Sequence, residues 1–356
     1  MKKIIVILAF VSLLPITLNA TASPREIPYE IALSRAISRD PSVAPIDRDI
    51  RSAEADIRRL QVERLAIIDE DPVAAGIIEA QRTRVIGERN RLQRQRSRHV
   101  LNIERNLRTL LAAIANIENN INTLEMTLDL REKMLEQTRL RHEHGMASLL
   151  EVNEAQNTLE QTALNLATLH LSLTTERQNL NRLIHELITA DIRIIYDVTD
   201  FAPLPTENLT AAEAERFIAR QVMRDHFFLN WQDEVDARRQ EWLSQIPVPE
   251  VDNDYMRIQV QVAIAERNIA EHQAEVNIRN TFANWVRLQE AQESINTAIT
   301  QALSDYEDMQ NRFEAGFVTQ IQVDFLRLAY EIERARLNLH IYEFWTAELP
   351  TTHPYI

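Results

Sequence analysis

Two short segments of the chain carry side chains that could bind ions or partners. In the first, His142 and His144 flank Glu143, and Glu151 follows seven residues after His144. Imidazole and carboxylate groups can hold a metal ion, and a carboxylate repeated around a symmetry axis can bind cations and disfavour anions. Residues two apart lie on different sides of a helix, and the second segment, around Gly316, has no histidine. We therefore predict solvated histidines and no metal site.

The remainder of the chain offers no catalytic constellation. None of the 9 histidines has a glutamate three residues before it, which excludes the Glu-x-x-His repeats of a di-metal helical bundle. The sequence has no H-E-x-x-H and no glycine-rich phosphate loop. It contains no cysteine, so thiolate nucleophiles and thiolate zinc sites are excluded as well. We predict no enzymatic activity and no cofactor.

An arginine-rich run stands out in an acidic chain. The chain has 39 basic and 53 acidic residues and a net charge of −14, which makes nucleic acid a poor partner. One role for the run is ion pairing with acids of the preceding helix, such as Glu54, Asp56 and Glu63. The other is contact with an anionic envelope surface, where each arginine can add about 1 kcal/mol. The residues proposed for surface contact are Arg91, Arg94, Arg96 and Arg98, and the whole run consists of Arg82, Arg84, Arg89, Arg91, Arg94, Arg96 and Arg98.

The two tip segments occupy equivalent positions in a duplicated chain. Gly145 and Gly316 stand at matching places, although the chain has only 4 glycines, and Ser148 and Thr319 follow them at the same spacing. Glycine readily adopts positive φ and ends helices, and serine or threonine can cap the next helix. Each segment is therefore predicted to be the tip of a helical hairpin.

Long helices must position these tips. Apolar residues recur at alternating steps of three and four along a helix predicted from about 75 to 142, which is a coiled-coil seam. Shorter helices flank it, one from near 46 to 68 and one after Gly145. After a short strand near 192–198 and a proline boundary, the second half repeats the plan, with a long helix from near 254 to 313.

The beginning of the chain is typical of a secretory signal. Lys2 and Lys3 precede an apolar stretch, and Ala20-Thr21-Ala22 is a small-residue cleavage site. We therefore predict export to the periplasm or cell envelope. The predicted organisation is a signal peptide at 1–22, a first helical-hairpin repeat at 23–200 and a second at 201–356, together forming one intertwined helical domain.

With these residues in place, the sequence resembles the TolC-like outer-membrane efflux channels across nearly the whole mature chain. The resemblance rests on the opening Ile27–Ala36, on Arg312–Gly316 with its weaker partner Arg141–Gly145, and on the duplicated hairpins. It implies a homotrimer whose helices form a periplasmic tunnel, closed at the tips and served by a periplasmic adaptor protein and an inner-membrane pump. Outer-membrane association is implied by the resemblance alone.

One feature of that family is missing from the sequence. Its members insert two β-hairpins per chain into the outer membrane, and each strand needs roughly 9–11 residues. In the first half only Asp69–Ala74 is clearly non-helical, and the corresponding break near 244–253 contains two prolines. We predict an all-α fold of long antiparallel coiled-coil hairpins in two tandem repeats, a TolC-like α-barrel protomer without membrane strands.

The resemblance also assigns roles to residues at the tips. Glu151, Gln322 and Asp324 would lie at the tunnel-entrance constriction, where three copies of Glu151 would form an acidic ring. The alternative for Glu151 is that an acid in the first helical turn favours the helix dipole. The residues that would contact the adaptor are Glu143, Gly145, Met146, Ser148, Glu314, Gly316, Phe317 and Thr319.

The function predicted from the sequence is an exported, trimeric helical conduit of a tripartite efflux or secretion system. Its tips would open and close as the coiled coils slide when an adaptor docks. Two alternatives stay open: a coiled-coil spacer that spans the envelope and conducts nothing, and a structural protein that binds an adaptor through its tips.

Overall fold

The computed structural model describes residues 24–196, 210–244 and 250–352. The predicted signal at 1–22 lies outside these residues, and so does the predicted boundary between the repeats at 200 and 201. In chain order the elements are β1 (Arg25–Pro28), α1 (Tyr29–Arg39), α2 (Val43–Ile67), α3 (Pro72–Glu143), α4 (Leu149–Leu183), β2 (Ile192–Ile195), α5 (Ala211–Val222), α6 (His226–Ser244), α7 (Glu250–Glu314) and α8 (Gln320–Thr352). The predicted helical architecture is confirmed.

The long helix α3 begins earlier than the sequence indicated. Pro72–Ala74 was expected to be non-helical, but these residues form the first turn of α3. Proline is tolerated at this position because the first N–H groups of a helix have no intrahelical acceptor. The Asp71 side chain accepts hydrogen bonds from the backbone N–H groups of Val73 and Ala74. The helix has 72 residues, which corresponds to a length of about 108 Å.

The long helices lie side by side with stacked shorter helices in a single layer. On one side α3 packs against α2 and α4, and on the other against α6 and α8, which also pack against α7. The layer is therefore four columns wide, in the order α2 with α4, α3, α6 with α8, and α7. None of the described helices combines the length and apolarity that crossing a bilayer would require.

The stacked helices meet at one height along α3. Val43 at the start of α2 and Leu183 at the end of α4 both pack near Ile103 of α3. In the other stack, the start of α6 reaches Arg98 through Phe227. The end of α8 reaches Arg108 through Trp345. The junction of α2 with α4 and the junction of α6 with α8 therefore lie within a few helical turns of each other along α3.

A small parallel sheet covers this height on one face of the layer. β1 pairs with β2 in the register Arg25–Ile192 to Pro28–Ile195. The sequence predicted a strand near 192–198 but not its partner, because β1 is short and runs directly into α1. Ile27 and Ile194 are buried in the core that the sheet shares with α1, α3, α4 and α8.

A buried arginine joins these elements. Arg108 is 3% exposed. It donates to Glu104 Oε1 at 2.7 Å, to the Trp345 carbonyl at 3.0 Å and to the Tyr29 hydroxyl at 3.3 Å. Its guanidinium also lies 4.9 Å from the Trp345 ring centroid. Burial raises the pKa of Tyr29 to about 12, although its hydrogen bond with Arg108 opposes the shift.

Replacing this arginine should destabilise the joint. Arg108→Gln removes the charge that faces Glu104 and two of the long-range hydrogen bonds, so we expect a loss of about 3 kcal/mol in the free energy of unfolding. Arg105→Gln, one turn earlier and exposed, is the matched control and should cost less than about 0.5 kcal/mol. Urea denaturation followed by circular dichroism measures both, and equal losses would contradict the role of the network.

Candidate functional site: the two hairpin tips

Both hairpin tips are built from the same backbone hydrogen bonds. In the first, the N–H groups of Gly145 and Met146 donate to the carbonyls of His142 and Arg141 at 2.9 and 2.7 Å. In the second, those of Gly316 and Phe317 donate to Phe313 and Arg312 at 2.8 and 2.9 Å. This pair of bonds is the Schellman motif, which satisfies carbonyls left open at a helix end.

The two tip glycines adopt the backbone conformation that the sequence indicated. The φ angle is +70° at Gly145 and +79° at Gly316. A Cβ atom added at either position would meet nothing within 4 Å. The requirement for glycine therefore comes from the backbone angle rather than from crowding.

The helix that leaves the first tip begins with a reciprocal cap, and the second tip keeps one half of it. At the first tip, Glu151 Oε2 accepts from the Ser148 N–H at 2.5 Å, and the Ser148 hydroxyl accepts from the Glu151 N–H at 3.2 Å. At the second, Gln322 Oε1 accepts from the Thr319 N–H at 2.8 Å. Glutamate and glutamine can both supply the accepting oxygen, which explains why the two tips differ at this position.

The cap bears directly on the two interpretations of Glu151. Hydrogen bonds from the Ser148 backbone and hydroxyl lower the pKa of the Glu151 carboxyl below its ordinary value. Its position in the first turn of α4 matches the helix-dipole interpretation. The carboxylate is nevertheless exposed, so the acidic ring stays a prediction. The same is true of Gln322 as a constriction residue.

Asp324 connects the two hairpins. Its carboxylate accepts from Lys133 Nζ on α3 at 2.8 Å and from the Gln320 amide at 2.8 Å. Burial would raise the pKa of Asp324, but the hydrogen bonds from Lys133 and Gln320 outweigh it and hold the pKa low. Sequence reasoning singled out Asp324 but missed Lys133, because nothing in the sequence pattern places α3 beside α8.

The tips present a mixed apolar and acidic surface. Met146 is 62% exposed and Phe317 is 82% exposed. Glu143 and Glu314, the last residues of α3 and α7, are also exposed. Large apolar side chains held at the ends of rigid hairpins can serve as anchors for a partner. Contact between the predicted tip residues and an adaptor remains a prediction.

The tip histidines have ordinary structural surroundings. A ring nitrogen of His142, Nδ1, lies 2.8 Å from the Ala147 carbonyl, which fits a hydrogen bond that closes the turn. Within the described residues, no group of three or more metal-binding side chains is assembled.

The four arginines predicted to contact an anionic surface point in different directions. Arg94 pairs with Asp233 on α6, and Arg96 donates to Asp47 on α2 at 2.6 Å. Arg98 stacks 5.0 Å from the Phe227 ring centroid, and Arg91 lies 3.8 Å from Glu88. Surface contact stays a prediction for all four arginines.

The predicted ion-pair partners of the run need correction. Among the described residues, its arginines do not pair with Glu54, Asp56 or Glu63. Pairing with α2 does occur, from Arg96 to Asp47, but the run also pairs with α6, because α3 packs against both helices. The acids that pair with the run are Asp47, Glu79, Glu88, Asp233 and Glu241.

Comparison with known proteins identifies what this architecture is similar to. Residues 76–185 match the family model described as outer membrane efflux protein. Among solved structures, the chain is similar to CusC, with a TM-score of 0.62, 10% identity and 95% of each chain covered. It is also similar to the outer membrane protein VceC from Vibrio cholerae, with a TM-score of 0.57, 14% identity and coverage of 90% of this chain and 94% of that one. For the Campylobacter jejuni CmeC outer membrane channel, the TM-score is 0.53 and the identity 9%, with 90% of this chain and 84% of that one covered.

No curated protein sequence matches the chain significantly. The family match and the structural neighbours nevertheless confirm the predicted resemblance to TolC-like channels and the predicted fold class. At identities of 9–14%, the similarity to these solved structures shows a shared fold and nothing further. The matched family and the neighbours are channels, which fits the prediction that the protein is not an enzyme.

The tip glycines yield a prediction about backbone strain. Gly145→Val and Gly316→Val place a β-branched residue at positive φ, so each should lower the free energy of unfolding by about 1–2 kcal/mol. Asparagine tolerates this conformation, and Gly145→Asn and Gly316→Asn are therefore the matched controls with smaller losses. Chemical denaturation measures the difference. Valine variants as stable as the asparagine variants would contradict a φ-based requirement.

The capping geometry predicts that Glu151→Gln removes the charge and preserves the helix cap. Gln322 already accepts the same hydrogen bond at the second tip, so the variant should keep the cap and unfold only slightly below the wild-type temperature at neutral pH, a difference that should disappear in acid. Because the pKa of Glu151 is lowered in the folded chain, its contribution to stability is lost as pH falls through that pKa, below about 4.5. The variant should lack this contribution.

The same substitution tests the acidic ring. If three copies of Glu151 attract cations, Glu151→Gln should reduce cation selectivity, measured as the reversal potential across a KCl gradient in reconstituted, conducting protein. An unchanged reversal potential would leave Glu151 as a helix cap only.

Proposed function

We propose that this chain is one protomer of an exported, trimeric helical tunnel in a tripartite efflux or secretion system. Its tips would dock on a periplasmic adaptor, which in turn would connect to an inner-membrane pump. The observation that carries the proposal is that the helical layer has two open edges, each lined with exposed apolar side chains. The match to outer membrane efflux proteins supports this function and a location at the outer membrane or elsewhere in the envelope.

The edge formed by α7 carries an uncovered coiled-coil seam. Its residues lie at steps of three, four and seven along the helix, and each is between 43% and 61% exposed. They are Tyr255, Ile258, Val262, Ile269 and Val276. A seam of this length buries its apolar surface only when another helix packs against it.

The opposite edge is apolar as well. On α2, Val62 and Leu65 are exposed, and on α4 so are Leu164 and Leu171. The α2 residues lie at the end of the molecule away from the tips, as does the α7 seam. A second copy placed beside the first would therefore bring α2 against α7. Because the two edges differ, each copy leaves one edge free until a ring closes.

The dimensions suit a hollow assembly. Three copies of a layer four columns wide form a ring of about twelve helices spaced about 10 Å apart. Such a ring has a diameter of about 38 Å between helix axes, and helices about 10 Å thick leave a lumen of about 28 Å. The wall would be about 108 Å long, the length of α3.

The tips provide both the docking surface and a means of opening. Met146 and Phe317 project from the two hairpins, and the Lys133–Asp324 ion pair ties α3 to α8 behind them. Sliding of one hairpin past the other would break this pair and separate the tips. An adaptor that binds both apolar side chains in the open arrangement would favour that state.

A non-conducting spacer is the second candidate. The observation that favours it lies at the end away from the tips, where α2 and α3 are joined directly by the short turn Ile68–Asp71. A closed bundle of the same hairpins would span the same distance without a lumen. An adaptor-binding structural protein would use the same tips.

Disrupting the α7 seam should prevent assembly without unfolding the chain. Val262→Asp with Ile269→Asp places two charges in the proposed contact, so the wild-type trimer should become a monomer in analytical ultracentrifugation at micromolar concentration. Leu187→Asp is the control, because Leu187 is 76% exposed in the turn after α4 and does not belong to the helices that form the two edges. A wild type that sediments as a monomer would refute the tunnel, and a trimeric seam variant would refute this interface.

A further inference from the structure

We propose that the free edge of β2 is a docking site for an extended segment of a partner protein, which adds there as a third strand of the small sheet. The site is separate from the hairpin tips, and one chain contains all of it. The inference therefore goes beyond the proposed function, and only its position on the outside of a tube rests on that function. The cavity beside this edge is here called the strand groove.

The register of the two strands determines which backbone groups stay free. The Arg25 N–H donates to the Asp191 carbonyl at 3.0 Å, and Arg25 is the register partner of Ile192. In a parallel pair the N–H and carbonyl groups of one residue point to the same side, and successive residues alternate. The backbone groups of Ile192 and Ile194 therefore point away from β1. Among the described residues, no backbone hydrogen bond reaches them from that side.

The two edges of the sheet differ in how they are protected. On the β1 side, the residues that point away from β2 are Glu26, Pro28 and, just before the strand, Pro24. Proline has no N–H to donate, so it blocks the addition of a further strand at a sheet edge. The free edge of β2 carries Ile192 and Ile194 instead. Of the two edges, only that of β2 offers an uninterrupted row of donors and acceptors.

These free backbone groups belong to residues that are otherwise buried. Ile192 is 7% exposed and Ile194 is 6% exposed, and both side chains lie in the core beneath the sheet. Backbone N–H and C=O groups of buried residues are nearly always hydrogen-bonded, because leaving them unpaired costs free energy. An extended peptide satisfies the whole row at once, since its own donors and acceptors recur at the same spacing.

The strand groove provides room and apolar surface for such a segment. It has a volume of about 670 Å³ and runs beside β2 over α3 and α4. Side chains on one face of an added strand would rest on apolar residues of these helices, and those on the other face would reach solvent beside Ile195, which is 49% exposed. The apolar residues that line the groove on the two helices are Leu111, Ile114, Ala115 and Leu180.

The charges in the strand groove are close to balanced. Glu118 pairs with Arg177 at 2.9 Å. Arg193 and Glu26 are register partners, so their opposite charges are neighbours on the sheet. Asp191 is the remaining charged residue of the lining. Recognition must therefore come from main-chain hydrogen bonds and apolar contact, which suits a segment of alternating apolar and polar residues without proline where it faces β2.

Assembly of the proposed tube leaves the strand groove accessible. Copies meet there through α2 with α4 on one edge and through α7 on the other, whereas the groove lies on the face of the layer that carries the sheet. Three copies of α1 and the sheet would fill a lumen of about 28 Å, so this face belongs on the outside. Ala115 lies about 42 Å along α3 from the tip. A partner can therefore occupy the groove while an adaptor holds the tips.

Binding of a dye-labelled peptide to the purified mature protein tests the inference. The probe is a short peptide of alternating threonine and valine with a lysine at each end and blocked termini. We expect the wild type to bind it, measured by fluorescence anisotropy. A second probe has the same sequence with every threonine and valine amide N-methylated, which removes its backbone donors and keeps its side chains. It should bind at least about tenfold more weakly, because its hydrogen bonds to the β2 carbonyls are lost.

A protein variant tests the location. Ala115→Trp places a large side chain in the strand groove, so it should weaken binding of the first probe at least about tenfold. Ala219→Trp adds the same side chain at an exposed position of α5 and is the matched control. It should bind the probe as the wild type does. Circular dichroism checks that both variants are as helical as the wild type.

The outcomes separate this inference from the proposed tunnel. Equal binding of the two probes by the wild type would overturn strand addition, and equal binding by the two variants would overturn the groove as its place. A wild type that sediments as a trimer and binds neither probe would overturn the site and leave the tunnel, also where another segment of the same chain fills the groove. A monomer that binds only the first probe would support the site and refute the tunnel.

Discussion

The length of α3 is the constraint on which the rest of this structure depends. A helix of 72 residues exposes apolar seams along about 108 Å, and apart from α7 no described helix can cover such a length. The chain solves this by stacking shorter helices end to end, α2 with α4 on one side and α6 with α8 on the other. The joints of both stacks fall where Arg108 binds Tyr29, Glu104 and Trp345, so one buried cation fixes the alignment of both halves.

The same arrangement leaves the layer incomplete by itself. Its two outer columns have neighbours on one side only, and their free sides carry apolar residues such as Ile269 and Leu171. Copies of the chain are the natural partners, because the two edges are apolar at the same end of the molecule and cannot meet within one chain. Closure into a ring would bury these edges. It would also create an interior, which gives the tips a functional meaning that a single chain does not provide.

Sequence reasoning succeeded where short-range physics decides the outcome. Heptad spacing predicted the long helices, and Gly145 and Gly316 with Ser148 and Thr319 predicted the tips, because positive φ and helix capping are local properties. It failed where a distant neighbour decides. The pairing of β1 with β2, the Lys133–Asp324 ion pair and the partners of the arginine run all depend on which helix lies beside α3, and no spacing within one segment reveals that.

The central claim is that copies of this layer close around a lumen. Electron microscopy of the purified mature protein tests it most directly, by averaging particles viewed along the long axis. The account predicts a ring with threefold symmetry and a central hole about 28 Å wide, bounded by about twelve helices. Side views should show a rod of about 108 Å. A filled bundle with no central density minimum, or separate hairpin pairs without rotational symmetry, would contradict it.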